Sequence, residues 1–187
     1  MAIERFKRSM KIEASIDNEL GLAINNHNIG YAKEAQGNIE EALDYYQKST
    51  DINVKIKNTY GLIICKSSIA TIFIKQNKPK EAIQLINENF EDIKNLGNKE
   101  FLAYHYINLG WAQSKLNQLN IAEKNLEKGL EISKTYNFAT SISDAYNNLA
   151  ELNEKKQDYK KALTYYKLSE EFDEKITNEI CQKEKRR

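Results

Sequence analysis

The chain has 187 residues, with 28 basic and 27 acidic side chains for a formal net charge of +1. That balance gives no electrostatic attraction toward nucleic acid or an anionic membrane surface, and no apolar run approaches the ~18 residues of a membrane-crossing helix. Charged residues at 29%, apolar residues at 41% and a single proline fit a charge-coated protein of long helices.

Residues 1–17 carry apolar groups at helical spacing. Met1 to Arg8 has no continuous apolar stretch after its charges and does not read as a signal peptide. Asn18 to Gln36 reads as the next helix, broken at Gly37-Asn38, where glycine suits a left-handed helix end. Asn38 with Glu41 has the spacing of a capping box for the helix that follows, in which Ile39, Ala42, Leu43 and Tyr46 form one apolar face. Comparable joints stand at Lys57-Asn58, Asn77-Lys78-Pro79, Gly97-Asn98, Asn117-Gln118, Asn137-Phe138 and Gln157-Asp158. Pro79 suits a first helical turn. The predicted helices are therefore 18–36, 39–56, 59–76, 79–95, 98–116, 119–136, 138–156 and 159–183, paired as hairpins.

These hairpins echo one another. Ala2, Ala42, Ala82, Ala122 and Ala162 lie 40 residues apart, and twelve residues before the last four stand Gly30, Ala70, Gly110 and Ala150. Glycine inside a helix costs about 1 kcal/mol relative to alanine. Gly30 and Gly110 therefore imply a close approach of the partner helix at the level of Ala42 and Ala122. A repeat of this length marks an all-α solenoid, usually a binding surface. The chain reads as one array: repeats at 18–57, 58–97, 98–137 and 138–177, then a helical extension over 178–187. Residues 1–17 match the second helix of a repeat: Ala2-Ile3-Glu4-Arg5-Phe6 aligns with Ala42-Leu43-Asp44-Tyr45-Tyr46. An uncovered first helix suggests a segment of a longer protein.

On these residues the chain resembles the tetratricopeptide-repeat family. Numbered so that Ala42 is position 20, each repeat has a small residue at position 8 and Ile29, Ile69, Leu109 or Leu149 at position 7. The usually aromatic position 4 holds Tyr106 and Tyr146, while Asn26 and Lys66 depart. The period exceeds the usual ~34, as in the long-helix subgroup found in sensor and adaptor regions of bacterial signalling proteins. The resemblance implies a right-handed superhelical solenoid of antiparallel helix pairs, with a concave groove lined by the first helix of each pair.

Groove positions then hold the candidate ligand-binding residues. Position 6 gives Asn28, Ser68, Asn108 and Asn148, and an asparagine amide can pair with both polar groups of a peptide unit. Tyr31 and Trp111, at position 9, and Tyr104 are aromatic anchors for side chains. Lys115 lies with Lys75 and Lys155 at position 13, a basic edge that Glu34 and Glu154 partly cancel. The implied partner is a peptide or protein, and a homodimer through the terminal helices is a further expectation. The C-terminal helix resembles those leading to kinase, cyclase or DNA-binding outputs, and its basic end, Lys183 to Arg187, reads as a solvated terminus.

Catalysis has no sequence support: phosphate-binding loops, zinc-protease motifs and nucleophile elbows are missing, and His27 and His105 stand in different repeats. No cofactor or metal is expected. Cys65 and Cys181 read as free thiols of a reducing, cytoplasmic compartment. The expected function is non-catalytic peptide or protein recognition, in a sensory or scaffolding part of a larger microbial signalling protein. The alternative is a self-assembling or fixed-partner scaffold with no exchangeable ligand.

Overall fold

The computed structural model describes residues 2–185, so Met1 and the Arg186-Arg187 end of the predicted extension lie outside the described residues. The described residues form ten helices and divide into two compact units, 1–76 and 77–187. The first unit holds α1 (Ala2–Ser15), α2 (Glu19–Ala35), α3 (Ile39–Lys55) and α4 (Thr59–Lys75). The second holds α5 (Pro79–Glu88), α6 (Phe90–Leu96), α7 (Lys99–Lys115), α8 (Leu119–Tyr136), α9 (Ala139–Lys155) and α10 (Tyr159–Lys185). The fold is an all-α solenoid of antiparallel helix pairs. Helices of the predicted 58–97 repeat fall in both units, α4 in the first and α5 and α6 in the second.

A left-handed residue recurs every twenty positions: Asp17, Gly37, Lys57, Asn77, Gly97, Asn117, Asn137 and Gln157 all have φ between 52° and 78°. After Asp17, Gly37, Lys57, Asn117, Asn137 and Gln157 the following amide donates to the carbonyl five residues back, as in Asn38 to Lys33 and Asn58 to Asn53, both 2.9 Å. This is the Schellman closure, which satisfies carbonyls that a helix end leaves free. The same bond explains one correction. Asn38 makes no side-chain cap, and its own N–H, which a capping-box Glu41 would accept, is spent on Lys33. Glu41 pairs instead with the Lys33 ammonium at 2.7 Å.

The predicted 79–95 helix is interrupted at Asn89, whose amide donates to Ile86, three residues back, at 3.3 Å. Equivalent positions in other second helices hold Ser49, Gly129 and Ser169. Asn89 is the largest of the four and is buried, and the turn tightens around it.

Within the hairpins the small-residue pairing is a backbone contact. A Cβ on Gly110 would stand 2.8 Å from the Ala122 carbonyl oxygen and 3.0 Å from the Leu126 nitrogen. On Gly30 it would meet the Tyr46 ring at 2.7 Å, with the Ala42 carbonyl at 3.2 Å. The α1–α2 junction reproduces the α3–α4 junction. Asn18 accepts from Gly21 N and donates to Glu13; Asn58 accepts from Gly61 N and donates to Asn53. Helix α1 thus joins α2 through the same side-chain bonds by which α3 joins α4.

Candidate functional site

In the second unit Tyr104, Asn108, Trp111 and Lys115 follow one another at intervals of four, three and four along α7, which places them on one helical stripe. Helix α9 packs beside α7 and brings in Asn148, Glu151 and Lys155. The Lys115 ammonium sits 3.2 Å from Glu151 and 5.9 Å from the centre of the Trp111 indole. Lys155 donates to the carbonyl of buried Ser114 at 2.6 Å, near the C-terminal end of α7. Burial and the nearby Lys115 charge lower the Lys155 pKa, with Glu151 opposing them. The Trp111 ring is half-buried, and its Nε1–H is covered without an acceptor. Asn148 is buried and donates to its own helix at Asp144, 2.9 Å away. Asn108 and Tyr104 are half-buried.

In the first unit Asn28, Tyr31 and Ser68 lie on α2 and α4, which pack together. Tyr31 is 66% exposed. Ser68 Oγ lies 3.1 Å from His27 Nε2. The neighbouring Glu34 carboxylate accepts from the Tyr46 hydroxyl at 2.9 Å and pairs with Lys75 at 2.7 Å. Burial lowers the His27 pKa, against a hydrogen bond to Asn28 and the Glu34 charge. Burial, then Glu34, raises the Tyr46 pKa. Serine, histidine and a carboxylate thus lie close together, but Glu34 is held by Tyr46 and Lys75 and does not orient the imidazole as a nucleophile relay requires.

The predicted residues therefore gather as Asn28, Tyr31 and Ser68 in one unit and Tyr104, Asn108, Trp111, Lys115 and Asn148 in the other. All three lysines of the expected basic edge have partners: Lys75 with Glu34, Lys115 with Glu151, Lys155 with a carbonyl. The sequence places Glu151 at position 9 with Tyr31 and Trp111, but its pairing with Lys115 and the Tyr46 hydroxyl's bond to Glu34 are not legible there. The 41-residue separation of Lys75 from Glu34, and of Lys155 from Ser114, is the signal that could have revealed such contacts between successive repeats. Cys65 is buried, with its thiol donating to Ser49 at 3.2 Å and its pKa raised by burial. Cys181 is free and exposed. Among the described residues no cluster of three or more His, Cys, Asp or Glu side chains is placed to hold a metal ion, and no helix is long and apolar enough to cross a membrane.

The sequence profile of the family described as Tetratricopeptide repeat matches residues 24–53, 105–136 and 143–176, together about half of the chain. No curated protein sequence matches it. Among solved structures, it is similar to a Rap protein complexed with competence and sporulation factor, with TM-score 0.80 and 18% identity over 93% of this chain and 50% of that one. It is also similar to the apo form of RapI, with TM-score 0.75 and 17% identity over 95% of this chain and 65% of that one. A third likeness is to BtubC from P. vanneervenii, with TM-score 0.66 and 17% identity over 85% of this chain and 66% of that one. The chain thus spans half to two thirds of the length of these structures, and at such identities the likeness is one of fold.

Proposed function

The chain belongs to the tetratricopeptide-repeat family, and on that premise we propose that it is a non-catalytic module that holds a peptide or protein segment against its first-helix faces. The observation that carries this reading is the α7 stripe. It offers an indole with an unmet N–H, a neighbouring amide and a charged rim on one side of one helix. Asn108 and Asn148 would pair with the ligand backbone, and Trp111 and Tyr104 would receive its side chains. Lys115 and Lys155 against Glu151 leave a surplus positive charge, which suits a carboxylate. Asn28, Tyr31 and Ser68 would serve the same purpose on α2 and α4. The similar Rap structure is a complex with competence and sporulation factor, which supports a ligand-binding role. We place the chain in a cytoplasmic sensory or scaffolding part of a larger signalling protein.

Trp111 is the sole tryptophan, so its emission reports binding without a label. A pool of random pentapeptides with free carboxyl termini should change it saturably. Asn108→Ala should weaken the response by roughly twofold to tenfold, the worth of one neutral hydrogen bond. Lack of any response, or a response unchanged in Asn108→Ala and Asn148→Ala alike, sinks the assignment.

A second reading, self-association through the terminal helices, has one observation of its own. Ile12 on α1, Ile16 in the turn just after it, and Leu163 and Ile180 on α10 are all more than half exposed. Sedimentation should then show a dimer that Ile12→Lys with Ile16→Lys dissolves.

A further inference from the structure

In the first unit, α1, α2 and α3 form an open, shallow hollow of about 500 Å³, lined by Met10, Asn26, Tyr45, Lys48, Asp51 and Ile52. This is within the size range of small-molecule sites. The face is separate from Asn28, Tyr31 and Ser68. Its cause is legible by stepping three repeats along the sequence. Asn26 becomes Tyr146, Met10 becomes Leu130, Tyr45 becomes Tyr165 and Ile52 becomes Phe172. In the second unit Tyr146 is buried and joins Leu130 in one apolar cluster. Its ring stands 5.9 Å from Tyr165 and 6.1 Å from Phe172. The first unit keeps the aromatic wall, Tyr45, and the aliphatic ones, Met10 and Ile52, and has an amide where the central ring belongs.

The polar groups around the cavity define what complements it. Lys48 is paired with Asp44 at 2.6 Å and lies over the Tyr45 ring, and Asp51 accepts from Gln47 at 2.8 Å. The charged rim is therefore already satisfied. Asn26 is 4% exposed, its Nδ2 donates to Leu22, and its Oδ1 is buried with no donor. A buried carbonyl without a partner costs more than the bond itself returns, so a donor arriving there is rewarded.

We propose that this cavity binds a neutral aromatic ring bearing one hydrogen-bond donor, a phenol the size of a tyrosine side chain, stacked on Tyr45 with its donor on Asn26 Oδ1. The ring takes the place that Tyr146 fills in its own repeat. Such a ring can come from a free aromatic compound or from a tyrosine of another protein.

Met10 lines the cavity and is one of only two methionines in the chain, so methyl-labelled methionine gives a direct NMR reporter on the full chain. Titration with p-cresol should shift the Met10 methyl saturably through the ring current. Toluene, which lacks the donor, should bind roughly fivefold more weakly, as expected for one neutral hydrogen bond. Asn26→Tyr should abolish the shift by supplying the ring internally. Asn26→Leu, which alters the volume little, should erase the preference for p-cresol over toluene and keeps the test open if the tyrosine variant does not fold. N-acetyltyrosinamide producing the same shift identifies a side chain as the fitting source, and p-cresol alone producing it identifies a free compound. A Met10 methyl unmoved by p-cresol, equal binding of toluene, or an undiminished shift in Asn26→Tyr overturns the proposal.

Discussion

The two units fill their hairpin interiors with different shares of polar and apolar side chains. In the first, the hairpin interior is threaded by hydrogen bonds. Asn25 donates to Ser9, Ser49 to the Ala23 carbonyl, Asn53 to the Ser49 carbonyl, Asn58 to Asn53 and Cys65 to Ser49. In the second, Ile107, Leu126, Leu130, Ile142, Tyr146, Leu149 and Leu152 form an apolar cluster, and hydrogen bonds return between α9 and α10, where Ser169 donates to the Ser143 carbonyl and Ser143 to Asp173. The left-handed joints are nevertheless alike in both, and α2, α3, α4, α7, α8 and α9 all run 17 or 18 residues. The backbone closure at each joint sets the geometry, and the interior side chains are free to be polar or apolar provided the polar ones find each other.

The largest effect separating the units should come from the small residue at position 8. Gly110→Leu drives atoms into the backbone of α8 and should cost about 3 kcal/mol or more in denaturant unfolding. Gly30→Ala meets chiefly the Tyr46 ring, with the Ala42 carbonyl farther off at 3.2 Å, and should cost about 1 kcal/mol. Equal losses for Gly30→Ala and Gly110→Ala would show that the ring is as unyielding as backbone, and that this part of the contrast is false.

Acid should act next, and more through the second unit. His105 is buried, stacked on Phe90 at 4.4 Å, and its pKa is lowered to about 4 by burial, with Lys128 adding to the fall and a backbone bond at Ile86 opposing it. The unfolded chain binds this proton near pH 6.5 and the folded one only near 4, so stability is complete above pH 6.5 and declines as pH drops between the two values. The loss from this group by pH 4.5 is about 2 kcal/mol. Replacing His105 with Phe should remove that share of the slope, measured as unfolding free energy at pH 7 and 4.5. The same sign holds for His27 in the first unit. An identical slope in wild type and His105→Phe would place the acid sensitivity elsewhere.

Legibility followed the physics of each contact. The Gly30–Ala42 and Gly110–Ala122 pairs could be read because two backbones that touch exclude large side chains, leaving a mark at fixed spacing. Joints at Gly37, Gly97 and the asparagines were visible for their tolerance of positive φ. Asp17, Lys57 and Gln157 take the same conformation. Of these, Asp17 was not read as a joint, since the six-residue closure that holds it is a property of the chain path. Contacts between successive repeats, such as Lys75 with Glu34, needed the stacking register before they had meaning. Asn26 was visible as a departure from Tyr106 and Tyr146, but the cavity it leaves depends on walls that come from α1 and α3.

Polar threading makes the first unit vulnerable to a loss the second tolerates. Asn53→Ala removes the acceptor for Asn58 and a donor to the Ser49 carbonyl in a buried setting, and should cost about 1.5 kcal/mol. Its counterpart Ser133→Ala removes one hydroxyl that bonds only within its own helix, to Gly129, and should cost well under 1 kcal/mol. Comparable losses from the two variants in the same unfolding assay would mean that the hydrogen-bonded interior behaves as ordinary packing.

The finest distinction is at the lysines that reach back from one repeat to the one before. Lys155 contacts the Ser114 carbonyl at 2.6 Å, at the C-terminal end of α7 where the helix carries partial negative charge; the same carbonyl also accepts from the Asn117 amide at 3.1 Å. Lys75 makes the matching reach in the first unit but ends on the Glu34 carboxylate, with its own side chain about half exposed. Water screens that pair and offers both partners substitutes. Lys155→Met should therefore lower stability by about 0.5–1 kcal/mol, and Lys75→Met by less. The order of the two carries the information: a larger loss for Lys75→Met would mean that Glu34, once released, destabilises the buried Tyr46 hydroxyl it now accepts from, and that the first unit's polar network extends to its surface.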